Sequence, residues 1–257
     1  MNPIALQAHN PLRSYLLEAK YEFLRLWRTP SFVLPTLLFP SLFYVLFGVI
    51  LTRSPGGEIS QYLLATYGVF GIMGSALFGF GVTIAIEREQ GLQRYKRALP
   101  MPPAALLVAK MAMAMIFASL ISIMLAGIAV TLAGVALTPV QWLLLFLVNV
   151  LGVLPFCAIG LWIGSLVAGS AAPAVVNILY LPMAFLSGLW MPLSILPAFI
   201  AKAAPLWPSY HLAQIALKVV GRDAGGPLWK HLLVLAVVML ACFALARRRL
   251  QAADGNK

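Results

Sequence analysis

Acidic side chains are scarce in this chain: seven Asp and Glu stand among 257 residues, against eighteen Lys and Arg, and charged residues of all kinds make up only 10%. Soluble proteins carry roughly 25%. Hydrophobic residues reach 62%, where about 45–50% is usual. A soluble domain of this length cannot hide so much apolar surface, whereas lipid accepts it. Two cysteines, Cys157 and Cys242, both inside apolar runs, give no disulfide framework and read as small buried side chains. The three histidines, His9, His211 and His231, have no ligand-like spacing, so no metal site is expected. There is no G-x-x-x-x-G-K-[ST] phosphate loop, no H-E-x-x-H and no paired carboxylate inside an apolar run, so this chain is expected to hold no catalytic residues and no cofactor of its own. An intramembrane serine protease would need Ser170 or Ser187 brought to His211, and nothing in the sequence marks either serine as activated.

The positive charge, +11 in all, sits in short clusters between long uncharged stretches. That is the pattern of membrane topology signals. Anionic lipid headgroups, not nucleic acid, are the expected partner. The first thirty residues hold Glu18, Lys20, Glu22, Arg25 and Arg28, unlike a cleavable signal with one basic region, so insertion is expected through an uncleaved first span.

The uncharged stretches predict an all-α, polytopic membrane protein with six transmembrane helices. Residues 12–28 come first, with Leu12, Leu16, Ala19, Phe23, Leu26 and Trp27 in an apolar stripe at helical spacing. They read as an amphipathic helix lying in the membrane interface. Thr29-Pro30 marks a break. Span 1 follows at about 32–51, interrupted by Pro35 and Pro40, which membrane helices tolerate. Span 2, about 61–84, holds Gly68, Gly71, Gly74, Gly79 and Gly81, small residues that let helices approach closely. No charge falls between Lys110 and Lys202. That length accommodates span 3 at about 107–130, span 4 at about 142–165 and span 5 at about 172–190. Pro192, Pro197, Pro205 and Pro208 then cut residues 187–210 into pieces too short to cross a bilayer, which suit short re-entrant or interfacial helices. Span 6 is the shortest, between Lys230 and Arg247, and reaches bilayer length by extending back to residue 227. The chain divides into a tail and interface helix (1–30), a transmembrane domain (31–249) and a polar tail (250–257).

An even number of spans puts both termini on one side. All Lys and Arg except Arg53, Lys202, Lys218, Arg222 and Lys230 then share that side, and the positive-inside rule makes it the cytoplasm. The proposed spans carry no acidic side chain at depth, which a proton- or ion-coupled carrier often needs. Carriers also coordinate ions through backbone carbonyls, so a secondary carrier and a non-transport scaffold stay open as alternatives.

Residues 85–110, AIEREQGLQRYKRALPMPPAALLVAK, resemble the cytoplasmic loop of ABC-2 type transport permeases, the membrane subunits of a class of ABC exporters. The shared features are Glu87-Arg88-Glu89, then Gln90 and Gly91, with Pro100, Pro102 and Lys110 following. Leu92 stands where Thr is common, and Gln93 and Arg94 depart from the usual pattern. Asn177, Pro182, Leu186-Ser187-Gly188, Pro192, Leu196-Pro197, Pro208 and Tyr210 resemble a second family segment. The resemblance implies a permease that works with two copies of a cytoplasmic ABC ATPase subunit, which binds the ATP and Mg. It also implies a second permease, either another copy or a related chain. It places the protein in a bacterial cytoplasmic (inner) membrane and assigns it export. It implies ATPase coupling through Glu87, Arg88, Glu89, Gly91, Arg94 and Arg97, and an outer gate at 188–210 with Ser187, Gly188, Pro192 and Pro197. The expected cargo is amphipathic or hydrophobic: a drug, a lipid or a lipid-linked glycan. Phe39, Phe43, Phe70, Phe78, Tyr180 and Trp190 could face it, or could face lipid and neighbouring helices.

Overall fold

The computed structural model describes residues 11–52, 54–92 and 105–255. Among them all regular structure is helical and no strand occurs. Helix α1 is Pro11–Trp27. Thr29 closes it, its Oγ1 donating to the Arg25 carbonyl at 2.8 Å, and Pro30 opens α2, Pro30–Ile50, at a position where a missing N–H costs nothing. Pro35 and Pro40 lie inside α2, and the helix relaxes into wider i→i+5 turns over Tyr44–Ile50. Helix α3, Glu58–Glu89, is longer than expected at both ends and carries a similar wide stretch at Leu77–Val82. Next come α4, Ala105–Thr131, and α5, Pro139–Leu166. Thr138 and Gln141 start α5 with a reciprocal capping box, which satisfies two of its orphan N–H groups.

Among the described residues five helices are long and apolar enough to cross a membrane: α2, α3, α4, α5 and a last one whose spanning part is Leu228–Gln251. Helix α6, Ala172–Leu186, is apolar but only 15 residues long, about 22 Å at the usual rise, against a hydrocarbon core of about 30 Å. It stops short of the expected residue 190 because Gly188 takes φ +75° and Ser187 Oγ turns back to the Met183 carbonyl at 2.6 Å. The prolines that follow set off short pieces as expected: a turn at Leu193–Ile195, α7 at Ala198–Ala203, a turn at Ala204–Leu206 and α8 at Pro208–Val219. Helix α9 runs from Leu228 to Gly255. The cluster Arg247–Arg249 marks the expected end of the last span, but the helix continues past it, since Ala, Leu, Arg and Gln are all good helix formers.

Helix α3 is the centre of the bundle, and its side chains Tyr67, Phe70, Ile72, Met73, Leu77 and Phe80 fill the core. The glycines of α3 make that possible. A Cβ on Gly68, Gly71, Gly74, Gly79 or Gly81 would come within 3.0 Å of Asn149, Ile121, Tyr180, Phe32 and Gly160 respectively. At Gly81 the contact is backbone against backbone, with Gly160 and Gly164 of α5 on the other side, the close approach that small residues permit.

The hydrogen bonds sort the helix ends into two faces. One face holds α1, the end of α3 and the start of α4. The other holds the start of α3, the 188–206 segment and the loop 220–226.

Candidate functional site

At the first face three helices meet around buried charge. Lys110, near the start of α4, is 0% exposed; Glu22 of α1 and Glu87 of α3 are 3% and 2% exposed. Lys110 Nζ donates to Glu22 Oε2 at 3.0 Å and to Glu87 Oε1 at 2.9 Å, with Thr83 Oγ1 at 3.4 Å. Arg25, half-exposed on α1, also binds Glu87 Oε1 and lies 3.8 Å from Glu22. Among the described residues Lys110 and Arg25 thus bring positive charge to both carboxylates, the condition under which buried charge is tolerated. Beside this knot Leu26, Phe117 and Met113 form a small core between α1 and α4. Phe23 of α1 packs against Phe117 with ring centroids 5.6 Å apart. Helix α1 is therefore clamped to the bundle by an ion network and an aromatic contact, which is more than a stripe resting on lipid. Leu12 and Leu16 remain exposed.

The residues expected to couple to an ATPase separate into groups. Glu87 faces inward. Arg88 reaches the end of α5, where its guanidinium binds the carbonyls of Ser165 and, at 2.6 Å, Val167. A cation there meets the negative end of the helix dipole. Glu89 is exposed, and its Oε2 accepts the Ser170 N–H at 3.3 Å. Gly91 has φ +73°, with nothing among the described residues within 4 Å of a Cβ, so the backbone conformation by itself favours glycine there. Arg94 and Arg97, like Pro100 and Pro102, lie outside the described residues. Glu22 and Lys110 complete the arrangement, and the sequence assigns neither a role in the site.

At the opposite face the segment after α6 is pinned to α3. Tyr62 Oη donates to the Gly188 carbonyl at 2.8 Å, and Tyr67 Oη to that of Trp190 at 3.2 Å. Ser187 is buried and bonds Ser209, not His211. His211 Nδ1 instead lies 2.9 Å from His231 Nδ1, with its Nε2 2.9 Å from the Pro205 carbonyl. Among the described residues the triad geometry a serine protease needs is thus missing around Ser187. Pro192 lines a cavity of about 700 Å³ with Trp190, Phe47, Leu51, Glu58 and Leu63, whereas Pro197 is exposed. Arg222 ties the 220–226 loop to this rim through Glu58 at 2.5 Å. Lys218 binds Asp223 at 2.7 Å, and this hydrogen bond holds the Asp223 carboxyl below its ordinary pKa.

Between the two faces the six aromatic residues singled out from sequence form one connected chain. Ring centroids are 4.9 Å apart for Phe39–Phe43, 6.2 Å for Phe43–Trp190 and 6.0 Å for Trp190–Phe70. They are 5.0 Å apart for Phe70–Tyr180 and 5.7 Å for Tyr180–Phe78. Tyr67 joins through Phe43 at 6.2 Å. Phe39 is exposed and Phe70 is buried, so the chain leads from the surface of α2 into the α3–α6 seam.

A family model described as ABC-2 type transporter matches residues 14–220. The chain is also 31% identical over 228 residues to "Putative transport permease YvfS" of Bacillus subtilis (strain 168), covering 88% of this chain and 92% of the relative. Five helices of spanning length and these matches make it a multi-pass membrane protein of the transport-permease kind, from a family whose usual partner is an ATPase. With the match running from α1 through α8, the chain belongs to the ABC-2 type transporter family.

Proposed function

We propose that this chain is the transmembrane permease subunit of an ATP-driven exporter, powered by a cytoplasmic ATPase on a separate polypeptide. The reading is supported first by family membership and by a sequence without a phosphate loop. The observation that carries it furthest is the Glu22–Lys110–Glu87–Arg25 knot. It joins the surface helix α1 to α3 and α4, so a displacement of α1 or of the α3 end by a docked ATPase is passed to two spanning helices. Direct docking then falls to Glu89 and the segment after it, while Glu87 and Arg88 hold the lever to the bundle.

In this reading α6 completes a sixth crossing. Ser170, just before it, meets Glu89 at one face, and Gly188, just after it, meets Tyr62 at the other. Both termini are cytoplasmic, in a bacterial inner membrane, and the pieces between Pro192 and Pro208 form the outer gate. Two permeases and two ATPases assemble together. The cargo is amphipathic or hydrophobic, because the aromatic chain through Phe43, Phe70 and Tyr180 offers ring faces and no fixed charge. The test is co-reconstitution with the ATPase in liposomes, with ATP hydrolysis measured against hydrophobic drugs, lipids and lipid-linked sugars. Stimulation by a member of this panel is expected; stimulation by small ionic solutes alone, with their transport confirmed, overturns the assignment.

A further inference from the structure

Lined by none of the residues of the aromatic chain, a crevice of about 200 Å³ lies between α3, α4 and α5. Leu64, Ile123, Leu125, Trp142, Leu145 and Phe146 wall it. Two polar side chains also line it, Ser122 and Asn149, and Asn149 is 3% exposed. The Asn149 amide lies over α3 at Gly68, where a Cβ would come within 2.7 Å of Nδ2. Its Nδ2 donates to Ser122 Oγ at 3.0 Å. Its Oδ1 is buried and has no hydrogen-bond partner among the described residues.

The position makes that oxygen costly. Asn149 is ten residues into α5, which starts at Pro139, about 15 Å along the helix axis. That is near the middle of a hydrocarbon core of about 30 Å, where no bulk water can supply a donor. A leucine there would avoid the penalty and favour the helix. An amide in this place is accounted for if something else satisfies it.

We propose that this crevice is an intramembrane binding site for a small neutral amphiphile bearing one hydroxyl, of the alkanol or phenol type. The hydroxyl donates to Asn149 Oδ1, and the apolar body lies between Leu145, Phe146 and Trp142. The volume suits a single ring or a short alkyl chain, since a cavity of about 150 Å³ admits benzene. No charged side chain lines the crevice, so ions are rejected. The site is separate from the charge knot and the outer rim, and the inference does not depend on the transport reading.

The experiment uses the full chain in lipid nanodiscs and a diazirine-bearing octanol, with peptides mapped by mass spectrometry. Labelling concentrated at the Ser122–Ala126 and Trp142–Asn149 segments is expected, competed by hexanol and phenol but not by hexane. Asn149→Leu should lower it about fivefold, the effect of one ordinary hydrogen bond, while Ser122→Ala retains it. Ile123→Trp, at an exposed position beside the mouth, should block the crevice and serves if Asn149→Leu does not fold. Equal labelling by a diazirine-bearing octane, or labelling spread over the lipid-facing helices and indifferent to both variants, overturns the proposal in favour of simple partitioning.

Discussion

Lys110→Met is the most informative single change. Lys110 is fully buried and touches two carboxylates at 2.9 and 3.0 Å. At an effective dielectric of about 20, each contact amounts to about 5–6 kcal/mol of attraction. Desolvation of the three buried groups offsets much of it. Removing the lysine takes the buried cation from Glu22 and Glu87 and leaves Arg25, which is 41% exposed, against both carboxylates. Loss of one partner from a buried ion network costs about 3–5 kcal/mol, and Arg25 brings the expected loss toward the lower end. The loss should appear at α1, because Glu22 and Leu26 are its buried residues. A Leu26→Cys reporter measures this directly, since Cys157 and Cys242 are buried and react slowly. The reporter thiol should be protected in the parent background and label rapidly with Lys110→Met. The triple variant Glu22→Leu, Glu87→Leu, Lys110→Met should regain much of the stability, because apolar replacement of a whole buried ion cluster is often neutral or better. An apparent stability for Lys110→Met within about 1 kcal/mol of the parent, the range of an ordinary surface pair, with the reporter thiol still protected, would refute the reasoning.

Three other outcomes follow from the geometry. Gly164→Ala places a Cβ 2.5 Å from the Gly81 carbonyl oxygen and should destabilise by about 1–3 kcal/mol or more, read by thermal denaturation, because neither backbone can yield. Ser54→Cys and Gln251→Cys, both at exposed positions, should label from opposite sides of sealed vesicles if six crossings are made; labelling from the same side contradicts that topology. His211 has its pKa lowered by burial, opposed by its bond to the Pro205 carbonyl and reinforced by Lys230. Above its ordinary value of about 6.5 both folded and unfolded states are neutral there. Below it the unfolded state takes up the proton first, so stability should fall as pH drops from about 6.5 toward the lower folded value. Melting temperatures at pH 5 and 8 check this, and the double variant His211→Gln, His231→Gln should flatten the dependence.

Much of the fold is legible in the sequence because lipid imposes it. Long uncharged runs can only be helices there, and α2, α3, α4 and α5 fall where such runs lie. The break at Thr29-Pro30 and the proline-cut segment before α8 follow from proline chemistry. Helix ends are less visible. α6 stops at Leu186 because Gly188 turns left-handed, and α9 passes through three arginines that hydropathy treats as a boundary. The site is legible in part. Glu87, Arg88 and Glu89 stand out as a motif, but their directions do not, since one faces into the bundle, one reaches to α5 and one to solvent. Glu22 is hidden in a charged surface helix, and Lys110, although it shares in the family resemblance, stands at the end of a basic loop that does not show which carboxylates it meets. Two signals point to them. Glu22 lies four residues before Leu26, on the buried face of α1, and Lys110 falls inside the expected third span, where a charge needs a partner.

The central claim, that a separate ATPase drives transport through this chain, is tested most directly in inside-out proteoliposomes. The permease is combined with its ATPase or with a hydrolysis-deficient form of it, and uptake of a fluorescent lipid or drug cargo is followed on adding ATP and Mg. Uptake is predicted only with the active ATPase, and it should be lost in the triple apolar variant of the knot although that protein still folds. Uptake by the permease alone, indifferent to ATP, would contradict the account.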